Sequence, residues 1–129
     1  LARLRAAAME TFLRDYEGGR RTRRYVEGEL PTLPFADDAF DLALCSHFLF
    51  LYTKQLAADF HAAAVRELCR VAREVGIFPL LALGNAPSPQ VAIVSDALRR
   101  DRHDVAMETV PYEFQRGGNG MLRIRMPHV

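Results

Sequence analysis

Apolar residues recur at Leu4, Ala8, Phe12 and Tyr16, a spacing that predicts a first helix from Leu1 to about Tyr16. Gly18-Gly19 follows and is expected to stop it. Arg24–Leu30 reads as a short strand centred on Tyr25 and Val26, and Pro31 and Pro34 then force an extended, irregular passage. Asp37-Asp38 reads as a turn. Phe40–Ser46 is an almost continuous apolar run broken by Asp41, a pattern suited to a central strand of a covered parallel sheet. His47–Lys54 is an aromatic-rich loop or short helical turn. A long helix is expected from about Lys54 to Glu74, burying Leu56, Phe60, Ala64, Leu68 or Val71, and Val75, with Gly76 ending it. Ile77–Leu83 is the next apolar strand; Pro79 costs it a ladder donor, so its core is expected from Leu80.

The remainder alternates in the same way. Gly84-Asn85-Ala86-Pro87 is a loop, and Ser88-Pro89 starts a helix that reaches Arg99 or Arg100 with Val91, Val94 and Leu98 inward. Val105–Phe114 and Met121–Met126 read as strands joined by the glycine-rich Gln115–Gly120, hence an antiparallel hairpin. Two strand–helix–strand crossovers imply a largely parallel sheet covered by helices. The expected fold class is therefore α/β: a three-layer sandwich with a mostly parallel sheet and a C-terminal antiparallel hairpin, or half of one.

Length sets this at one domain, residues 1–129. Half the residues are apolar, so a core is affordable. Seventeen basic residues against sixteen acidic ones leave a net charge of +1, which gives no nucleic-acid footprint and no acidic tail. The run Arg20, Arg21, Arg23, Arg24 reads as a solvated loop beside a helix C-terminus. The longest apolar stretches, Phe48–Tyr52 and Gly76–Gly84, are too short to span a bilayer, and no secretory signal opens the chain. A cytoplasmic location is expected, in which Cys45 and Cys69 are buried free thiols.

Chemistry in an open α/β sheet lies beyond the C-terminal ends of its strands. Three segments reach that edge: Glu27-Gly28-Glu29-Leu30, Ser46-His47-Phe48 and Gly84-Asn85-Ala86-Pro87. His47, directly after a buried strand, is a candidate to orient a substrate or act as a base. His61, His103 and His128 share no ligand spacing, so no metal site is expected. Ser46 lies in no G-x-S-x-G elbow, and Asp37, Asp38 and Asp41 read as a turn and a strand start rather than an acid–base pair. Neither G-x-G-x-x-G nor G-x-x-x-x-G-K-[ST] occurs; Gly117-Gly118-Asn119-Gly120 is a hairpin turn with no helix behind it.

One block carries more. Leu33-Pro34-Phe35-Ala36-Asp37-Asp38-Ala39-Phe40-Asp41-Leu42-Ala43-Leu44-Cys45-Ser46-His47 resembles the LPF-x-D-x-x-FD-L-V block of class I S-adenosylmethionine-dependent methyltransferases. The resemblance covers roughly residues 20–126 and implies a partial Rossmann-like fold with S-adenosylmethionine as cofactor. By the family pattern, Gly28, Glu29 and Leu30 stand where G-D-A meets the adenine, with Glu29 one methylene longer than the usual Asp. Cys45 and Ser46 border the cofactor, His47 is the candidate catalytic residue, and Phe48 and Tyr52 begin the wall of an acceptor pocket. The methyl acceptor is a small molecule or an unidentified group.

The family's E/D-x-G-x-G-x-G loop and the acidic residue ending its second strand have no counterpart here. Residue 1 is Leu, already in helical sequence, so the resemblance implies that the strands bearing that loop lie upstream. It also implies that the Phe40–Ser46 strand exposes an apolar edge, to be covered by a missing N-terminal segment or a second copy. Two other functions remain open: a non-catalytic binding or structural module built on part of the fold, and an NAD-linked α/β enzyme, which the same missing loop disfavours.

Overall fold

The computed structural model describes residues 1–46, 48–51, 57–82, 87–111 and 116–125. Its elements are α1 (Ala2–Arg21), β1 (Phe40–Ser46), α2 (Ala58–Val71), β2 (Ala72–Phe78), α3 (Gln90–Arg100), β3 (Asp104–Thr109) and β4 (Gly120–Arg125). The strands form one open sheet in the order β1-β2-β4-β3.

β1 and β2 run parallel, joined through α2, with Leu44 opposite Gly76 and Cys45 opposite Ile77. β4 pairs antiparallel with both β2 and β3, so the expected C-terminal hairpin is present. The sheet is thus mixed rather than mostly parallel, because one crossover feeds a parallel pair and the hairpin closes the other side. The expected strand at Arg24–Leu30 does not form. That segment carries only an isolated bridge between Glu29 and Thr32, since Pro31 and Pro34 deny it a ladder.

β2 begins where a helix was expected to continue. Helix α2 ends at Val71, and Ala72 is already extended at φ −137°, ψ 150°. Val75 and Ile77 are β-branched and fit a pleated strand better than a helix end. Pro79 then terminates the strand, which accounts for its lying several residues earlier than Ile77–Leu83.

One face of the sheet is packed. From it, Ala43, Cys45, Val75, Ile77, Leu122, Ile124 and Val105 meet α2 and α3. Helix α2 supplies Ala64, Val65, Leu68, Cys69 and Val71, at i, i+1, i+4, i+5 and i+7, a spacing typical of one helical face. Helix α3 supplies Val91, Val94 and Leu98, the three inward residues expected. Its start is satisfied by Ser88, whose Oγ accepts the Gln90 N–H at 3.3 Å. Each fully buried Leu, Ile or Val contributes about 1.5–3 kcal/mol.

The opposite face carries no helix among the described residues, so two layers replace the expected three. Leu42 is 51% exposed and Leu44 70% exposed there, on a strand that stands at the sheet edge rather than its centre. Beside them the face turns polar. Arg123 pairs with Glu108 at 2.8 Å and with Glu74 at 3.8 Å, and Arg125 reaches Glu74 at 3.3 Å. A shallow hollow of about 250 Å³ lies between these two halves, lined by Leu42, Leu44, Gly76, Met121 and Arg123 among others.

Helix α1 makes no comparable packing on the sheet or on α2 and α3. Its expected apolar stripe is solvent-facing, and only Gly19 is buried. Phe12 and Tyr16 instead gather around Tyr25, with ring centroids 5.5 and 5.8 Å from it. The helix runs through Gly18-Gly19 to Arg21 because the Tyr25 ring occupies the space a Cβ on Gly19 would need. Asp15 fixes that ring by accepting from Tyr25 Oη and from both terminal nitrogens of Arg24, all at 2.8 Å.

Candidate functional site

The parallel pair β1 and β2 defines an edge at Ser46 and Phe78, where strand carbonyls and the following loops converge. Ser46 is exposed at the end of β1. Cys45, one residue earlier, turns to the packed face and is half-buried against the core. Burial pushes its thiol up, and the Leu49 N–H directed at its sulfur pulls partly the other way. Cys69 is buried on α2, where desolvation raises its thiol to about 12, so it is no nucleophile near neutrality.

His47, the candidate catalytic residue, lies outside the described residues, as do Tyr52 and Gly84–Ala86. The chain beyond His47 is a tight turn. Leu49, Phe50 and Leu51 are buried, and Phe50 sits in the left-handed region at φ +68°. His61 on α2 reaches this turn. Its Nε2 accepts the Phe50 N–H at 3.0 Å, and its Nδ1 lies 3.1 Å from the Ala57 carbonyl. An accepting Nε2 places the proton on Nδ1, which donates to Ala57. Sequence reading passed over His61 as one histidine on a helix. Its place three and four residues before Ala64 and Val65, on the apolar face, was the available signal.

The Gly28-Glu29-Leu30 segment is shaped from below. A side chain on Gly28 would meet Pro34 Cδ at 3.1 Å, so the glycine permits the chain to fold close over the LPF block. Leu30 packs against the core, and Glu29 is exposed, its carbonyl accepting from Thr32 N–H at 3.1 Å. Among the described residues no hydrogen bond or ion pair joins this segment to Cys45 or Ser46.

The LPF block is clasped to α2. Arg70 donates through Nε and Nη2 to the two Glu67 oxygens at 2.7 and 2.8 Å, and through Nη1 to Asp37 at 2.9 Å. It also donates to the Leu33 carbonyl at 3.2 Å, while Glu67 accepts the Leu33 N–H at 2.6 Å. Arg70 first, and the Leu33 N–H second, hold the Glu67 carboxyl down at about 2. Asp38 completes the expected turn at φ +53°, its N–H donating to the Arg70 carbonyl at 2.8 Å. This clasp delivers the chain into β1 in register, and so fixes where Ser46 ends.

A larger groove, about 490 Å³, lies elsewhere, between Tyr16, Arg20, Arg23, Tyr25, Val26 and Glu27 at the end of α1. Among the described residues no group of three His, Cys, Asp or Glu side chains is placed to hold a metal ion. Among the described residues no helix is long and apolar enough to cross a membrane.

A β1-α2-β2 unit entered through an LPF loop, followed by a helix and a returning hairpin, defines an open α/β domain. Residues 5–80, more than half of the chain, match the methyltransferase domain family, and the chain belongs to that family. It is similar to an uncharacterized protein of Methanocaldococcus jannaschii, 36% identical over 121 residues. That alignment covers 94% of this chain and 52% of the relative, so the chain spans about half the length of the curated relative it matches. No solved structure matches the chain at a significant level.

Proposed function

We propose that the chain is part of an S-adenosylmethionine-dependent enzyme that transfers a methyl group to a small-molecule or other acceptor. One observation carries this reading: the methyltransferase-domain match at residues 5–80 runs over the LPF loop, β1, α2 and β2, the elements that build the strand-end site. The residues present suit such a ligand. Glu29 offers an exposed carboxylate able to accept from an amine or hydroxyl, and Ser46 offers an exposed hydroxyl at the end of β1.

When bound, S-adenosylmethionine supplies a methyl group activated on a sulfonium. Gly28, Glu29 and Leu30 are assigned to its adenosine portion, and Cys45 and Ser46 to the wall at the strand end. His47 is assigned to the acceptor, where its imidazole takes the proton that the acceptor loses as the new bond to carbon forms. The rest of the contribution is orientation: the turn at 48–51 and the clasped LPF loop hold their backbone in one geometry.

Calorimetry tests the reading. S-adenosylmethionine titrated into the polypeptide of the full reading frame is expected to bind in the micromolar range, and Glu29→Ala to weaken it about tenfold, roughly 1.4 kcal/mol. Absence of binding sinks the proposal. A second reading, a non-catalytic module on the same fold, is favoured by the lack of a glycine-rich phosphate or cofactor loop in these 129 residues. Micromolar binding to this chain alone would remove it.

A further inference from the structure

We infer that His61 is a positioning residue: it locks the turn that follows β1 into the single conformation that shapes the strand-end site. The inference rests on the proposed location of the methyl-transfer site, but the lock itself is argued from packing. His61 is completely buried, and a buried imidazole must have both nitrogens satisfied. Both are, and asymmetrically. Nδ1 turns back to Ala57 at the start of its own helix, whereas Nε2 crosses to another segment and accepts the Phe50 N–H.

The ring also stacks on Phe50, centroids 5.6 Å apart at 18°, and meets Phe60 edge-on at 6.3 Å. Phe50 needs such restraint. A bulky residue at φ +68° occupies a sparsely populated region and stays there only when its surroundings determine it. His61 therefore ties α2 to the turn at residues 48–51, which follows β1. An apolar residue of equal volume would keep the core filled and would leave the Phe50 N–H without this acceptor. The histidine is there for its nitrogen.

Two variants of this chain separate a lock from a mere core residue. His61→Leu removes the acceptor; His61→Gln keeps an acceptor oxygen at about the reach of Nε2. Amide hydrogen exchange at Phe50, with β2 and β4 amides as internal references, is read in each, and S-adenosylmethionine affinity is read in the full reading-frame polypeptide carrying the same substitution. The expected result is Phe50 exchange at least tenfold faster in His61→Leu with β2 and β4 unchanged, substantial recovery in His61→Gln, and affinity following the same order. Unchanged Phe50 exchange in His61→Leu overturns the lock. So does exchange that rises equally across β2 and β4 in both variants, because His61 would then support only the core. Faster Phe50 exchange with unaltered affinity overturns the positioning role. If the unsubstituted full reading-frame polypeptide does not bind S-adenosylmethionine, the proposed function and the positioning role fail together, while Phe50 exchange still decides the lock.

Discussion

Gly18 and Gly19 are neighbours in one helix and should respond to alanine with opposite sign. Nothing lies within 4 Å of the position a Gly18 Cβ would take, so Gly18→Ala is expected to gain about 0.5–1 kcal/mol of helix stability. Gly19→Ala has the same propensity gain but displaces the Tyr25 ring, dispersing the contacts with Phe12 and Tyr16. Thermal unfolding followed by circular dichroism should rise for the first and fall for the second, and tyrosine fluorescence should change only in the second. A rise in both would show that the aromatic cluster contributes nothing. The glycine pair was visible in the sequence, but as a helix stop; a ring supplied from a later segment is a long-range contact that local pattern does not carry. His47 belongs to this scale too. His47→Ala in the complete polypeptide is expected to lower the methyl-transfer rate by about 10²–10⁴-fold with little change in stability. An unchanged rate and KM would end its assignment.

Between elements, the Glu67–Arg70 clasp makes the strongest pH prediction. Glu67 is ordinarily titrated near 4.5 and in the fold is held at about 2. Its folded value is depressed, so its contribution is complete above about 4.5 and is lost as pH falls toward 2. Asp15 behaves likewise between 3.8 and about 2, held down first by Arg24 and then by Tyr25, but its pair with Arg24 is exposed and salt screens it. Glu67→Gln is expected to cost about 1.5–3 kcal/mol at pH 7 and to flatten the loss of stability between pH 4.5 and 2. Denaturant titrations at pH 7, 4 and 2.5 check both halves; a parent and variant equally acid-sensitive would contradict them. The sequence made the elements legible where periodicity was strong: α3, the hairpin and β1 lie close to expectation. It misplaced the α2–β2 boundary because Val71 and Val75 satisfy a helical spacing as well as a strand, and only Pro79 arbitrates. The clasp was not legible, since Asp37, Leu33 and Arg70 are brought together by the fold.

At the scale of the whole chain, the parallel β1–β2 edge at Ser46 and Phe78 was legible from topology, while the contacts around it depended on tertiary packing that no spacing revealed. The same topology explains the open face. Among the described residues β1 has a single neighbour, β2, although its sequence is as apolar as a strand covered on both sides. Leu42 and Leu44 therefore stand in solvent on one face, beside a free edge of N–H and C=O groups. The polar half of that face is self-neutralised, because Glu74, Glu108, Arg123 and Arg125 pair with one another. No large net charge is left there to keep copies of the chain apart. The 129-residue chain is accordingly expected to self-associate as its concentration rises, through the β1 edge and the two leucines. Leu44→Lys should suppress this at little cost, since Leu44 is already mostly exposed and a lysine on an edge strand blocks further pairing. Sedimentation velocity over a hundredfold range of concentration reads the difference: the parent shifts to faster species, and Leu44→Lys stays monomeric. If the two sediment alike, association is either absent or runs through α1, which exposes Met9 and Leu13 on adjacent parts of its surface. Leu13→Lys in the same measurement then assigns it.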